Sequence, residues 1–93
     1  DVVKVHSLRR GAAEAIEAVA HGDRKASDVV GRKIEDLDLP RGTSIVTIVR
    51  NDKVIMAHHD TVIETDDHVI LFMTDRRKID KIENLFQVGV SFV

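Results

Sequence analysis

Between residues 43 and 73 the chain gathers its apolar residues into three short runs, TSIVTIVR, KVIMA and HVILFM, parted by Asn-Asp and by a polar stretch. Successive residues of a strand point to opposite faces, so Ile45 and Val49 fall on one side of Thr43–Arg50 and Val46 and Ile48 on the other. Apolar residues on both sides predict a strand in the middle of a sheet. Asn51 and Asp52 tolerate a positive φ, which predicts a two-residue hairpin into an antiparallel second strand over 53–57. Five successive apolar residues from Val69 to Met73 predict a third strand buried on both faces. Ile45, Val46, Ile48, Val69 and Leu71, with Ile79, Ile82 and Leu85 from further along, make the expected core.

Outside this centre the periods change. Residues 2–8 alternate as an edge-like strand, and Arg9-Arg10-Gly11 turns the chain because Gly11 accepts φ above zero. Two readings compete for 12–20. Alanine and glutamate favour a helix, with Ile16, Val19 and Ala20 at helical spacing. Against it stand the short length, the lack of a capping residue before Ala12 and the tight turn that precedes it. His21-Gly22-Asp23 ends that segment. Ser27 then offers a cap for a short helix centred on 32–37, which Pro40 stops. Residues 58–60 read as a polar loop, 61–63 as a short extended piece and 64–67 as an acidic turn. Ile79, Ile82, Leu85 and Phe86 share one face of an amphipathic helix over 75–86, with Asp75 placed to complement its dipole. The tail, 87–93, shows no period. The pattern predicts an α+β domain built on a mainly antiparallel sheet, without internal repeats.

At 93 residues the chain supports one small domain, and apolar surface it leaves uncovered favours pairing with a second copy. A formal charge of −2 supplies no global field to attract nucleic acid or anionic lipid. The absence of cysteine excludes disulfides, thiolate metal sites and a cysteine nucleophile. No apolar run approaches the roughly 20 residues of a membrane span, and the start, Asp1, reads as a domain cut from a longer protein. His58, His59 and Asp60 include metal-ligand types, but adjacent residues of an extended chain diverge, so a solvated loop is the reading and no metal site is assigned. Glu64, Asp66 and Asp67 lack an opposing nucleophile or oxyanion donor, so no catalytic residue is assigned. Arg9-Arg10 and Arg76-Arg77-Lys78 are short basic pieces without Tyr or Trp, which argues against a nucleic-acid partner. Arg50 is the one candidate ligand-binding residue: it ends a strand at a hairpin mouth, where a guanidinium holds a carboxylate or phosphate, or simply forms a surface ion pair. No glycine-rich phosphate loop is present, so no nucleotide or other cofactor is expected in this domain.

The order of HSLRRGAAEAIEAVAHGD, VVGRKIEDLDLPRGT, IVR followed by VIMAHHDTVIETDDHVILFM, and a closing helix ending in LF resembles the RCK-C, or TrkA-C, module of potassium-conductance regulators, across nearly the whole chain. The LRRGAAEAIEAVAHGD run is most similar to the second such lobe of a potassium-uptake regulatory subunit. The resemblance implies an α+β lobe following Rossmann-type lobes that bind NAD(H) or adenine nucleotide. It also implies a membrane potassium-transport subunit as partner, homodimer formation, and a cytoplasmic place on the inner face of the membrane. An attachment of the same lobe to another ion carrier or antiporter, for ligand sensing or dimerisation, is the alternative. In the module 12–20 is a strand paired with 2–8, contrary to what alanine and glutamate alone suggest. The module's acidic turn carries Gly where this chain has Asp66, and aspartate adopts the left-handed region at modest cost.

Overall fold

The computed structural model describes residues 3–87. Val2 and the tail beyond Gln87, for which a strand start and an irregular course are expected, lie outside the described residues. These residues form five strands, β1 (Val3–Leu8), β2 (Ala13–Val19), β3 (Thr43–Arg50), β4 (Lys53–Met56) and β5 (His68–Met73). They form one antiparallel sheet in the order β1-β2-β5-β3-β4. Among the described residues a single α-helix, α1 (Ile79–Phe86), follows a 3-10 turn at Arg76–Lys78. Asp75 caps that turn by accepting a hydrogen bond from the Arg77 N–H at 3.1 Å.

Residues 13–19 are a strand, as the family resemblance implies and against their helix propensity. Burial alternates along β2, with Glu14, Ile16 and Ala18 inward, while Ala13, Ala15, Glu17 and Val19 face the other way. Pairing on both sides, to β1 and to β5, satisfies its backbone and outweighs the preference of Ala and Glu for a helix. At the β3–β4 turn Asn51 and Asp52 have φ of 51° and 64°, both in the left-handed region that a two-residue hairpin of matching twist requires. Asp66 likewise takes φ 69° in the acidic turn.

As expected, β3 is an interior strand, paired with β5 on one side and β4 on the other, while β5 between β2 and β3 is the middle of the five. Two expectations about the sheet need correction. The face assignment within β3 fails, because the pairing slips between Ile45, opposite Leu71, and Thr47, opposite Ile70. Val46 is the extra residue of a β-bulge. It puts Ile45 and Ile48, three apart, on the same face as Leu71 and Val69. Nor is β5 buried on both faces: Val69, Leu71 and Met73 are buried while Phe72 between them is 46% exposed. Among the described residues, helix and loops cover one side of the sheet only.

The core on that side joins Ile16, Ala18, Ile48, Val69, Leu71 and Met73 to Ile82 and Phe86 of α1 and to Val29, Val30 and Ile63 of the connections. Ile45, Ile79 and Leu85 pack against it, partly buried, and Val46 is half-buried. The short helix expected over 32–37 is reduced to one 3-10 turn, Ile34–Asp36. Ser27 does accept the Val29 and Val30 N–H groups, but Gly31 (φ 81°) breaks the helical path. The chain then pairs with 61–63 instead: Gly31 donates to the Ile63 carbonyl, Ile63 to the Arg32 carbonyl and Ile34 to the Thr61 carbonyl.

Candidate functional site

Arg50 ends β3 and turns back over the 62–67 connection. Its Nε donates to Oδ1 of Asp67 at 2.8 Å and its Nη2 to Oδ2 at 2.8 Å, a two-pronged pair with a fully buried carboxylate. Nη2 also donates to the Val62 carbonyl at 3.0 Å, and Nη1 lies 2.7 Å from Oε2 of Glu64. Asp67 in turn accepts the Glu64 N–H at 2.8 Å. The hydrogen bond to Asp67 raises the Arg50 guanidinium further above its ordinary range, against partial desolvation. The carboxylate that Arg50 holds is thus the chain's own. Its chemistry is to lock the acidic turn to the end of β3, and an external anion would reach it only by displacing Glu64, whose side chain is largely exposed.

The histidines disperse. His59 meets Glu35 at 2.9 Å, His21 stands 3.9 Å from Asp66, and His68 meets Glu17 at 2.7 Å. His58 sits in the 58–61 turn, where its N–H donates to Thr61 Oγ1. Among the described residues no group of three His, Cys, Asp or Glu side chains is placed to hold a metal ion. Glu64 and Asp67 both serve Arg50, while Thr65 donates to the Gly22 carbonyl at 2.6 Å. The acidic turn is therefore a structural clasp.

A broader feature is the uncovered side of the sheet. The register places Ile70 and Phe72 of β5 at its centre, with Ala15, Glu17 and Val19 of β2 and Ser44, Thr47 and Val49 of β3 on either side. Leu8 on β1 and Val54 and Met56 on β4 bound it. Phe72, Leu8, Val54 and Met56 are 46%, 38%, 70% and 63% exposed, a run of large apolar side chains left to solvent. Among the described residues charge on this face is confined to one flank, where Lys4, His6, Glu17 and His68 lie. The hydrogen bond from His68 holds the Glu17 carboxyl below its ordinary value, with smaller help from the charges of His68, Lys4 and His6 and with desolvation opposing.

The model of the TrkA-C domain matches residues 24–87. The chain belongs to the TrkA-C domain family. It is 62% identical over 92 residues to the Trk system potassium uptake protein TrkA of Halomonas elongata, covering 99% of this chain and 20% of that protein. The TrkA proteins of Vibrio alginolyticus and Haemophilus influenzae are 56% and 44% identical over 93 residues, again the whole of this chain and 20% of theirs. The chain thus spans about a fifth of the length of the relatives it matches, corresponding to their C-terminal domain. A solved structure described as "Structure of RCK domain with cda" superposes with a TM-score of 0.56 at 20% identity, over 78% of this chain and 97% of that one. That likeness concerns the fold alone.

Within this TrkA-C domain, sequence reasoning found Arg50 but not its partner, which lies 17 residues away, just before the neighbouring strand β5. The uncovered face was hidden by the five-residue apolar run, which reads as burial on both sides. The signal that could have exposed it is Glu17 and His68: each stands on the same side of the sheet as Phe72, and neither would be buried there unpaired.

Proposed function

We propose that this TrkA-C domain is a regulatory lobe, not an enzyme, of a longer cytoplasmic protein that gates a membrane potassium-uptake system. It acts by pairing with a second copy and passing a conformational change through that contact. The observation that carries this reading is the apolar sheet face of Phe72, Ile70, Val54 and Met56, left open in a domain whose relatives are named for potassium uptake. A face of that kind stabilises a two-fold pair by burial, and a shared two-fold interface turns a small shift in one subunit into a rigid movement of both. Nucleotide belongs, on this reading, to Rossmann-type lobes elsewhere in the protein. The membrane partner is the potassium-transport subunit, met at the inner face of the membrane. Arg50 positions the acidic turn, and a small anion there would compete with Glu64.

Sedimentation equilibrium on the domain, compared with a Phe72→Glu variant, tests the pairing. The expected result is a dimer mass for the parent and a monomer of unchanged circular dichroism for the variant, because Phe72 supports no core contact. In the full-length protein the same substitution should impair potassium uptake while NAD(H) affinity stays as it was. A strictly monomeric parent, or normal uptake after the dimer is lost, would overturn the reading.

A further inference from the structure

The charge of −2 conceals a basic end of the molecule. Leu8 pairs with Ala13, Glu14 with Met73 and Thr43 with Met73, so the β1–β2 turn, the exit from β5 and the entry to β3 all lie at one end of the sheet. Those three connections carry Arg9 and Arg10, then Arg76, Arg77 and Lys78, and then Arg41. All are exposed except the half-buried Lys78. Asp75 ties up Arg77, at 2.9 and 3.0 Å, and among the described residues none of the other five forms an ion pair. From β1 to β3 the strand order spans three strand spacings, about 14 Å.

Two further observations bear on what this end receives. Arg9 and Arg10 adopt φ of 50° and 57°, a region that glycine or asparagine enters at less cost, and both line one open cleft of about 430 Å³. Long cations are thus held where the backbone disfavours them. Beside them, on the open face near the same end, stand the exposed Leu8 and Phe72. Spread cations bordered by large apolar side chains make a surface suited to a bilayer interface, where the charges meet headgroup phosphates and the apolar groups enter the acyl boundary. A single small oxyanion would engage only part of a rim that wide, and one Phe offers no series of stacking platforms for nucleic acid.

We propose that this basic end is a membrane-contact surface that takes up the phosphate groups of anionic phospholipids. Arginine dominates it, and its planar fork matches phosphate oxygens. The inference stands on the layout of charge and not on the regulatory reading above, so a failed lipid experiment would leave that reading where it is.

The test is co-sedimentation of the 93-residue chain with vesicles of phosphatidylglycerol and phosphatidylethanolamine, against vesicles of phosphatidylcholine alone. The chain should bind the anionic vesicles and not the neutral ones. It should be released at about 0.5 M salt, where the screening length shrinks to about 4 Å. Arg9→Gln/Arg10→Gln should weaken binding roughly tenfold to thirtyfold, as should Arg41→Gln/Arg76→Gln, which leaves the strained turn untouched and so guards against misfolding. Lys25→Gln/Lys53→Gln, a matched loss of charge away from this end, should leave binding unchanged. Equal binding to phosphatidylcholine, equal loss in the Lys25/Lys53 control, or full competition by millimolar inorganic phosphate would overturn the proposal. So would binding to polyglutamate with no uptake on anionic vesicles, which would point to an acidic protein partner.

Discussion

Replacing Asp67 with alanine would strand the half-buried Arg50 guanidinium, leaving it Glu64 and the Val62 carbonyl, and would free the Glu64 N–H as well. Loss of one partner from a fully buried pair costs about 3–5 kcal/mol; with Arg50 partly open to water we expect about 2–3 kcal/mol, read as a lower midpoint in urea unfolding. Asp67→Asn, which keeps an acceptor, should cost less. Glu17 makes a second, pH-dependent case. Its folded pKa lies below the ordinary 4.5, so its contribution is present above the unfolded value and disappears as pH falls through the depressed folded one. The melting temperature of Glu17→Gln should therefore trail the parent at pH 6 and converge with it in the acid range. A gap that persisted under acid would mean that Glu17 acts through packing instead of charge. At this scale the sequence reveals residue types well and partners poorly: an arginine at a hairpin mouth announces that it will hold an oxyanion, but the choice among Asp60, Glu64, Asp66 and Asp67 depends on how the turn folds.

Among elements, local chemistry and tertiary pairing divide the credit. The Asn51-Asp52 hairpin is legible because two residues tolerant of positive φ are the whole cause of the turn. The strand β2 is not legible from composition, since Ala and Glu favour a helix and only neighbours on both sides make it extended; the family resemblance supplied what local physics could not. The bulge in β3 is invisible for a related reason. Alternation assigns faces by counting, and one inserted residue reverses the count. That argument yields a test: deleting Val46 leaves Ile45 opposite Leu71, Thr47 opposite Ile70 and Ile48 opposite Val69, an unbroken ladder with the same side chains inward. The deletion should fold with a modest loss in melting temperature, whereas deleting Ile70 from β5, which reverses half of a strand paired on both sides, should abolish cooperative unfolding. If both deletions behaved alike, Val46 would not be the inserted residue.

For the molecule as a whole, the decisive asymmetry is between two faces of one sheet. One side is closed by α1, Val29, Val30 and Ile63, and the other shows Phe72, Leu8, Val54 and Met56 to solvent. A chain of 93 residues has limited core to spend on its own stability, so apolar area left open is area that a second copy can use. If the open face pairs, folding and association are linked, and the melting temperature must depend on concentration. For a dimer unfolding to two chains, each tenfold rise in concentration above the dissociation constant adds about 0.7 kcal/mol per chain, or roughly 3–5 °C for a domain of this size. Calorimetry over a hundredfold range of concentration should show that drift for the parent and none for Phe72→Glu. The position of the substitution then locates the contact. Phe72 stands on the middle strand, so charge there should abolish the drift, while Leu8→Glu and Val54→Glu, at opposite edges, should each reduce it in proportion to the share of the interface they carry. A drift lost only with Leu8→Glu would place the pairing on the β1 edge, by strand addition, and would exclude the sheet face as the interface.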